Sequence, residues 1–220
     1  MAQRQTRSLA TMSAAQLLHK HYTYEEYLAL EVETGEKWEF FDGEVWPWQA
    51  MAGVTKSHNR IARNALKLIG DHLDGTACGE YDADVKLMIE SVNTVRYPDA
   101  AVACEDDADS EFAIRKAVLL IEVTSDSSVR SDHQHKALMY TSQIPTLREY
   151  LIVEQHHPMC TLHRRIEGTQ EWGTHWFKGV DAVLELTSIN LTVTLGELYK
   201  HIRWVDGKAV ERLGSGFPEV

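Results

Sequence analysis

The segment KAVLLIEVT, residues 116–124, limits the possible folds more than any other stretch. It is a short, near-continuous apolar run of the kind that forms a strand covered on both faces, rather than one half open to water. Such a strand needs layers above and below it, and the chain offers helices to supply them. In residues 57–73, Ile61, Ala62, Ala65, Leu66, Leu68 and Ile69 gather on one side at 100° per residue, predicting a helix. Residues 131–143 predict another, stopped by Ile144-Pro145. YEEYLAL, residues 24–30, suits a short helix capped by Thr23.

Further strands are predicted around this centre. Asp42-Gly43 between residues 37–41 and 44–48 is a strong hairpin signal, because a type I′ turn needs positive φ at both central residues. In DVKLMIE, residues 84–90, Val85, Leu87 and Ile89 alternate as in a half-buried strand. RYPDAAVAC, residues 96–104, reads as the next strand, with Pro98 at its start, and residues 148–154 and 159–165 read as two more. Residues 182–186 and 191–194 are expected at the sheet margin, and 195–202 as a closing helix. The order predicts one α/β (α+β) domain over residues 21–204, a mixed central sheet flanked by helices with an N-terminal β-hairpin. Residues 1–20 are expected to be a loosely held arm and 205–220 a loose tail.

Charge narrows the function classes. Lys and Arg number 22 against 33 Asp and Glu, a net charge of −11 with His neutral. Broad, sequence-independent coating of nucleic acid draws on a positive field, so a histone-like or strand-coating protein is excluded. One local basic groove remains compatible, and Lys56, Arg60, Arg63 and Lys67 align on the polar side of the second helix, either as a solvated face or as a strip for a polyanion. The run EDDADSE reads as a solvated loop. Cys78, Cys104 and Cys160 have no Cys-x-x-Cys spacing, so the expectation is isolated, buried, reduced thiols in a cytoplasmic protein. No segment approaches the ~20 apolar residues of a membrane span.

Two carboxylates stand out by position. Asp99 follows Pro98 at a strand start, and Glu122 lies near the end of the doubly covered strand, on the face it shares with Leu120 and Thr124. A carboxylate pointing into a covered layer is unfavourable unless a metal ion or a cationic side chain relieves it. A structural salt bridge or an exposed strand end is the alternative. His58, on the apolar side of its helix, is either a satisfied inward histidine or a group at the edge of a site. His133 and His135 point different ways on a helix, and His156-His157 are expected to face solvent. Trp38, Trp46 and Trp48 either fill core or a dimer contact, or offer a stacking surface for bases.

A Pro-Asp followed one strand later by a covered Glu resembles the PD-(D/E)XK nuclease superfamily. More narrowly, the ordered set YTYEEYL, KWEFFDGEV, SHNRIARNAL, RYPDAAV, LLIEVTSDSS, DHQHKALMY and IPTLREYLIVE resembles the Uma2 family of restriction-endonuclease-like proteins. The set spans residues 22–154, with a β-rich continuation to Tyr199. The resemblance implies a restriction-endonuclease-like fold with Asp99 and Glu122 as the metal-binding carboxylates. The superfamily's usual lysine falls at Thr124, and Lys136 in DHQHKALMY is the matching replacement. Asp132, Lys136 and Tyr140 fall on one helix face at i, i+4 and i+8. Glu39 is the further carboxylate implied, and Asp126 stands where the family has proline. The implied activity is a Mg²⁺-dependent endonuclease, with Mn²⁺ as substitute, acting on DNA as a homodimer. Thr124 and the net acidity keep a second expectation open, a catalytically silent nucleic-acid-binding or assembly module. A third is a metal-dependent hydrolase of another phosphate ester.

Overall fold

The computed structural model describes residues 20–48, 54–104, 112–124 and 130–212, without the side chains of 130–133. The N-terminal arm to residue 19, the acidic loop 105–111, Asp126 and the last eight residues lie outside the described residues. Six strands form the central sheet, in the order β11 (Trp172–Lys178), β10 (Met159–Arg165), β9 (Glu149–Val153), β8 (Ala117–Val123), β6 (Ala100–Ala103) and β3 (Gly79–Asp82). β8 runs parallel to β9, and every other pair in the sheet is antiparallel. β8 is covered on both faces, as its composition requires. Leu119, Ile121 and Val123 pack with Ile61, Ala65 and Ile69 of α2 (Lys56–Leu73). Leu120 packs on the other face with Tyr150, and with Tyr140 of α3 (Arg130–Gln143). Each fully buried Leu or Ile stabilises the fold by about 1.5–3 kcal/mol relative to exposure.

A second sheet runs in the order β2 (Glu44–Pro47), β1 (Trp38–Phe41), β5 (Thr94–Arg96), β4 (Lys86–Ile89) and β7 (Ala113–Ile114). Asp42 and Gly43 have φ of 44° and 90°, the left-handed pair the hairpin needs. One face of this sheet carries Trp38, Phe40 and Val95 against Tyr27 and Leu30 of α1 (Tyr24–Thr34), which opens on a capping box between Thr23 and Glu26. Leu87 and Ile89 on the other face join the cluster around Tyr140. Cluster and helix α3 therefore lie between the two sheets.

Several expectations change. RYPDAAVAC is two strands in different sheets: Arg96 ends β5, and β6 begins at Ala100. Pro98 has a fixed φ and no N–H to give a ladder, so the chain leaves one sheet for the other there. β4 is not half-buried, since Met88 enters the aromatic cluster while Leu87 and Ile89 enter the other one. Among the described residues, β12 (Val183–Leu186) and β13 (Leu191–Thr194) pair only with each other, not with the central sheet. The closing helix shortens to α4 (Leu195–Leu198). Where a loose tail was expected from residue 205, β14 (Ile202–Val205) and β15 (Lys208–Glu211) form a hairpin. Its turn is a second Asp-Gly, Asp206-Gly207, with φ of 50° and 74°. Ser57 Oγ donates to the Ala209 carbonyl at 2.9 Å and Arg60 pairs with Glu211, fastening the hairpin to α2.

The cysteine expectation also fails for one pair. Gly79 pairs with Ala103, so Cys78 and Cys104 stand opposite each other one step further, and they form a disulfide with a Cα–Cα distance of 3.8 Å. A sequence separation of 26 residues hides this opposition across two strands. Cys160 is buried and free, and burial pushes its thiol up to about 12. Closing a loop of this length stabilises by about 3.5 kcal/mol in the chain-entropy model. Cys78→Ser is expected to lose about 3 kcal/mol of unfolding free energy without reductant. Dithiothreitol should bring the wild type down to the mutant. Denaturant melts with and without reductant measure both, and equal oxidised stabilities would refute the cross-link.

Candidate active site

The end of β8 meets the crossing between the two sheets. Ala100 pairs with Ile121, so Asp99 stands one step on, beside Glu122. The Val123 backbone N–H donates to Asp99 Oδ2 at 2.7 Å, which fixes that carboxylate against the strand end. Glu122 is 6% exposed and projects from β8 toward α3. Lys136 and Tyr140, one helical turn apart, both reach it. Lys136 Nζ lies 3.2 and 3.1 Å from the two carboxylate oxygens, and Tyr140 donates to Oε1 at 3.2 Å. Tyr140 is held in turn by an edge-on contact with Tyr150, with ring centroids 5.2 Å apart. From the opposite layer, the first turn of α2 delivers His58. The Thr55 cap accepts from the His58 backbone N–H, and His58 Nε2 lies 3.0 Å from the Val123 carbonyl and 3.4 Å from Asp99 Oδ2.

A second buried carboxylate shows what is particular about Glu122. Glu149 is 0% exposed and accepts from five donors: Arg164 Nε, and the backbone N–H and hydroxyl of both Thr187 and Ser188. It pins β9 to the segment between β12 and β13 and has little acceptor capacity left. Glu122 has Lys136 and Tyr140, at distances beyond the 2.7–2.9 Å usual for a charge-assisted bond. Burial raises its carboxyl to about 7; Lys136 pulls it down, and the charges of Asp99 and Glu39 push it up. The His58 imidazole is raised despite burial, which lowers it, because Asp99, the Val123 carbonyl and Glu122 all favour the cation. Two carboxylates, a lysine and a histidine thus share one partly desolvated corner.

Among the residues singled out from sequence, Asp99, Glu122 and Lys136 converge there. Glu39 does not touch them. It pairs across β1 and β5 with Arg96, and its charge still bears on Glu122 and Tyr140. Thr124 Oγ1 donates to Glu154 at 3.1 Å and accepts from the Gln155 N–H at 2.9 Å, so it is engaged with the end of β9. The side chain of Asp132 lies outside the described residues. The basic strip sits on the layer opposite Glu122, and Arg60 and Lys67 are paired with Glu211 and Asp71. Trp38 is buried and Trp48 packs on Tyr97, so the three tryptophans form no common stacking surface. His135 and His157 are exposed, but His156, expected in solvent, is half-buried and accepts from the Ala209 N–H. Sequence spacing placed Tyr140 beside Lys136. Arg96 was missed, because a single strand prediction over 96–104 hid which sheet it joins.

The Uma2 family model, described as "Putative restriction endonuclease", matches residues 24–195. The chain belongs to the Uma2 family. The uncharacterized protein slr1290 of Synechocystis sp. is 33% identical over 178 residues, covering 80% of this chain and 90% of its own. A second uncharacterized Synechocystis protein, sll1609, is 29% identical over 175 residues, covering 78% of this chain and 96% of its own. Among solved structures, a crystal structure described as a putative nuclease belonging to DUF820, from Anabaena variabilis, has a TM-score of 0.65. It covers 81% of this chain and 97% of its own at 14% identity, so this Uma2 chain has the fold of that protein. No described helix is long and apolar enough to cross a membrane.

The raised Glu122 carboxyl has a consequence for stability. The folded protein, free of metal, holds this proton more tightly than the unfolded chain, whose carboxyl keeps its ordinary value of 4.5. Its contribution to stability is therefore favourable at low pH and is lost as pH rises from about 4.5 to about 7. Glu122→Gln should gain stability relative to wild type between pH 5 and pH 8. Urea midpoints at both values measure this, and a mutant-to-wild-type difference that does not move with pH would contradict the assignment.

Proposed function

We propose that the protein is a metal-dependent endonuclease that hydrolyses phosphodiester bonds of DNA. The observation that carries this reading is Glu122, a buried and under-satisfied carboxylate beside Asp99 with Lys136 against it. A divalent cation fits this donor set. Among the described residues no three His, Cys, Asp or Glu side chains form a cage, and Mg²⁺ asks for less: one or two carboxylates, with water and substrate phosphate completing the shell. Asp99 and Glu122 would hold Mg²⁺, or Mn²⁺ in its place, and the ion would offset the burial and the Asp99 repulsion that raise Glu122. When bound, the ion would withdraw charge from the scissile phosphate and lower the pKa of the attacking water.

The remaining work falls to the chain. Lys136 keeps an ammonium beside Glu122, where it can orient a water or stabilise charge developing on phosphoryl oxygens. Tyr140 holds the Glu122 carboxylate in its rotamer. His58 positions Asp99 and the Val123 carbonyl from the other layer. Glu39, steered by Arg96, is placed to bias the site electrostatically or to orient a second water. A homodimer would let two such sites cut both strands of a duplex. The silent module rests on Thr124 and the net acidity, and Lys136 supplying a cation at Glu122 weakens the first ground.

Wild type with Mg²⁺ or Mn²⁺ is expected to nick supercoiled plasmid, and EDTA to stop it. Asp99→Ala should lose both cleavage and the calorimetric heat of metal binding. Lys136→Ala should keep metal binding and lower kcat by about 10²–10³-fold. A wild type that neither binds metal nor cuts any nucleic acid would leave the silent module. Turnover of generic phosphomonoesters in place of DNA would favour the third reading. With a net charge of −11, the metal-free protein should bind duplex DNA poorly at physiological salt.

A further inference from the structure

Trp176 is 73% exposed on β11, the outermost strand of the central sheet. Register fixes where it points. Glu122 pairs with Ile152, Ile152 with Thr161, and Thr161 with Trp176. Side chains opposite one another across neighbouring strands share a face, so Trp176 lies on the same face as Glu122. Its neighbours agree: Trp172 packs with the Tyr140 cluster, whereas Phe177 packs with the α2 cluster on the other face. Three strand spacings separate Glu122 from Trp176, roughly 14 Å.

One cation stands beside this row. Lys178, also exposed, is two residues beyond Trp176 on the same face, in register with Met159. Arg165 lies on that face too, farther along β10, with its guanidinium over the Trp172 ring and donating to the Leu147 and Ile144 carbonyls and to Gln170. An exposed indole offers a flat π surface that any nucleobase can stack on, and the Lys178 ammonium suits a phosphate beside the stacked base. In a duplex the bases are already stacked on each other, so the partner has to be an unpaired base. Ile152, between them in the row, is buried in the Tyr140 cluster, so the row is an alignment on one face and not an open track.

We propose that Trp176 is a base-stacking platform for single-stranded nucleic acid, three strands away from Asp99 and Glu122 on the same face of the sheet. This rests on the nuclease reading and narrows its substrate class to strands with unpaired bases on this face. The edge of β11, unpaired among the described residues, also invites a second copy of the chain. Lys178 on that edge works against strand-to-strand pairing, and such pairing gives no role to the alignment with Glu122.

The test uses full-length wild type, Trp176→Ala and Trp176→Phe with 5′-labelled dT12 and a blunt duplex of equal length. Fluorescence anisotropy is read in Ca²⁺ to suppress cleavage, and plasmid nicking is scored separately in Mg²⁺. Trp176→Ala should weaken dT12 binding about 5- to 100-fold and leave the salt slope unchanged, since no phosphate contact is removed. Duplex binding should move less than twofold and Trp176→Phe should recover most of the affinity. The side chain is exposed, so the melting temperature should not shift. Unchanged dT12 affinity in Trp176→Ala, equal losses on dT12 and duplex, or no wild-type binding to dT12 would each overturn the proposal. So would conversion of a dimer to monomer by Trp176→Ala in sedimentation, which would assign the indole to a second copy. If wild type cuts plasmid or dT12 in Mg²⁺ while dT12 affinity ignores Trp176, the stacking role alone fails; if it cuts neither, the nuclease reading fails.

Discussion

Burying a carboxylate in the most covered strand of a sheet is unfavourable, and much of this molecule is arranged around that one group. β8 gains its stability from apolar residues on both faces, and Glu122 interrupts the pattern where α3 crosses it. Lys136 and Tyr140 reduce the penalty without removing it, leaving the carboxyl raised to about 7. A protein with no use for such a group would be more stable with leucine there. Glu149 shows the contrasting solution in the same sheet, a carboxylate saturated by neighbouring donors and serving as a pin.

The remainder of the corner follows from how the chain changes sheets. Pro98 breaks the ladder between β5 and β6, and the residue after it is delivered beside the end of β8. That break also sends Arg96 into the second sheet, where it holds Glu39 and keeps a further negative charge within reach of Glu122. α2 and α3 approach from opposite layers, so His58 and Lys136 meet at the strand end although nearly 80 residues separate them. Thr124, just beyond β8, is committed to the end of β9, and the cation at Glu122 comes from Lys136 on α3.

Charge reads differently once its placement is known. Of the two readings of the basic strip on α2, a solvated face fits better than a strip for a polyanion, since it belongs to the layer away from Glu122 and is partly neutralised by Glu211 and Asp71. The C-terminal hairpin that supplies Glu211 carried its own Asp-Gly turn signal, identical to the one recognised at Asp42-Gly43. The cations on the Glu122 face, Lys178 and Arg165, were unremarkable in sequence because nothing there gives the register of β10 and β11.

By itself, the sequence determined what depends on local chemistry. The doubly covered β8, the amphipathic α2, the Thr23 cap, the first hairpin and the i, i+4 pairing of Lys136 with Tyr140 follow from composition and periodicity. The motif order identified the family, and with it Asp99, Glu122 and Lys136 as a candidate set. Tertiary structure alone decided whatever depends on which strand lies beside which. It split residues 96–104 between two sheets, opposed Cys78 to Cys104, removed Glu39 from direct contact and aligned Trp176 with Glu122. The physical reason is that backbone conformation and burial leave a periodic trace along the chain. Cross-strand register is set by long-range pairing, and it leaves no such trace in a single sequence.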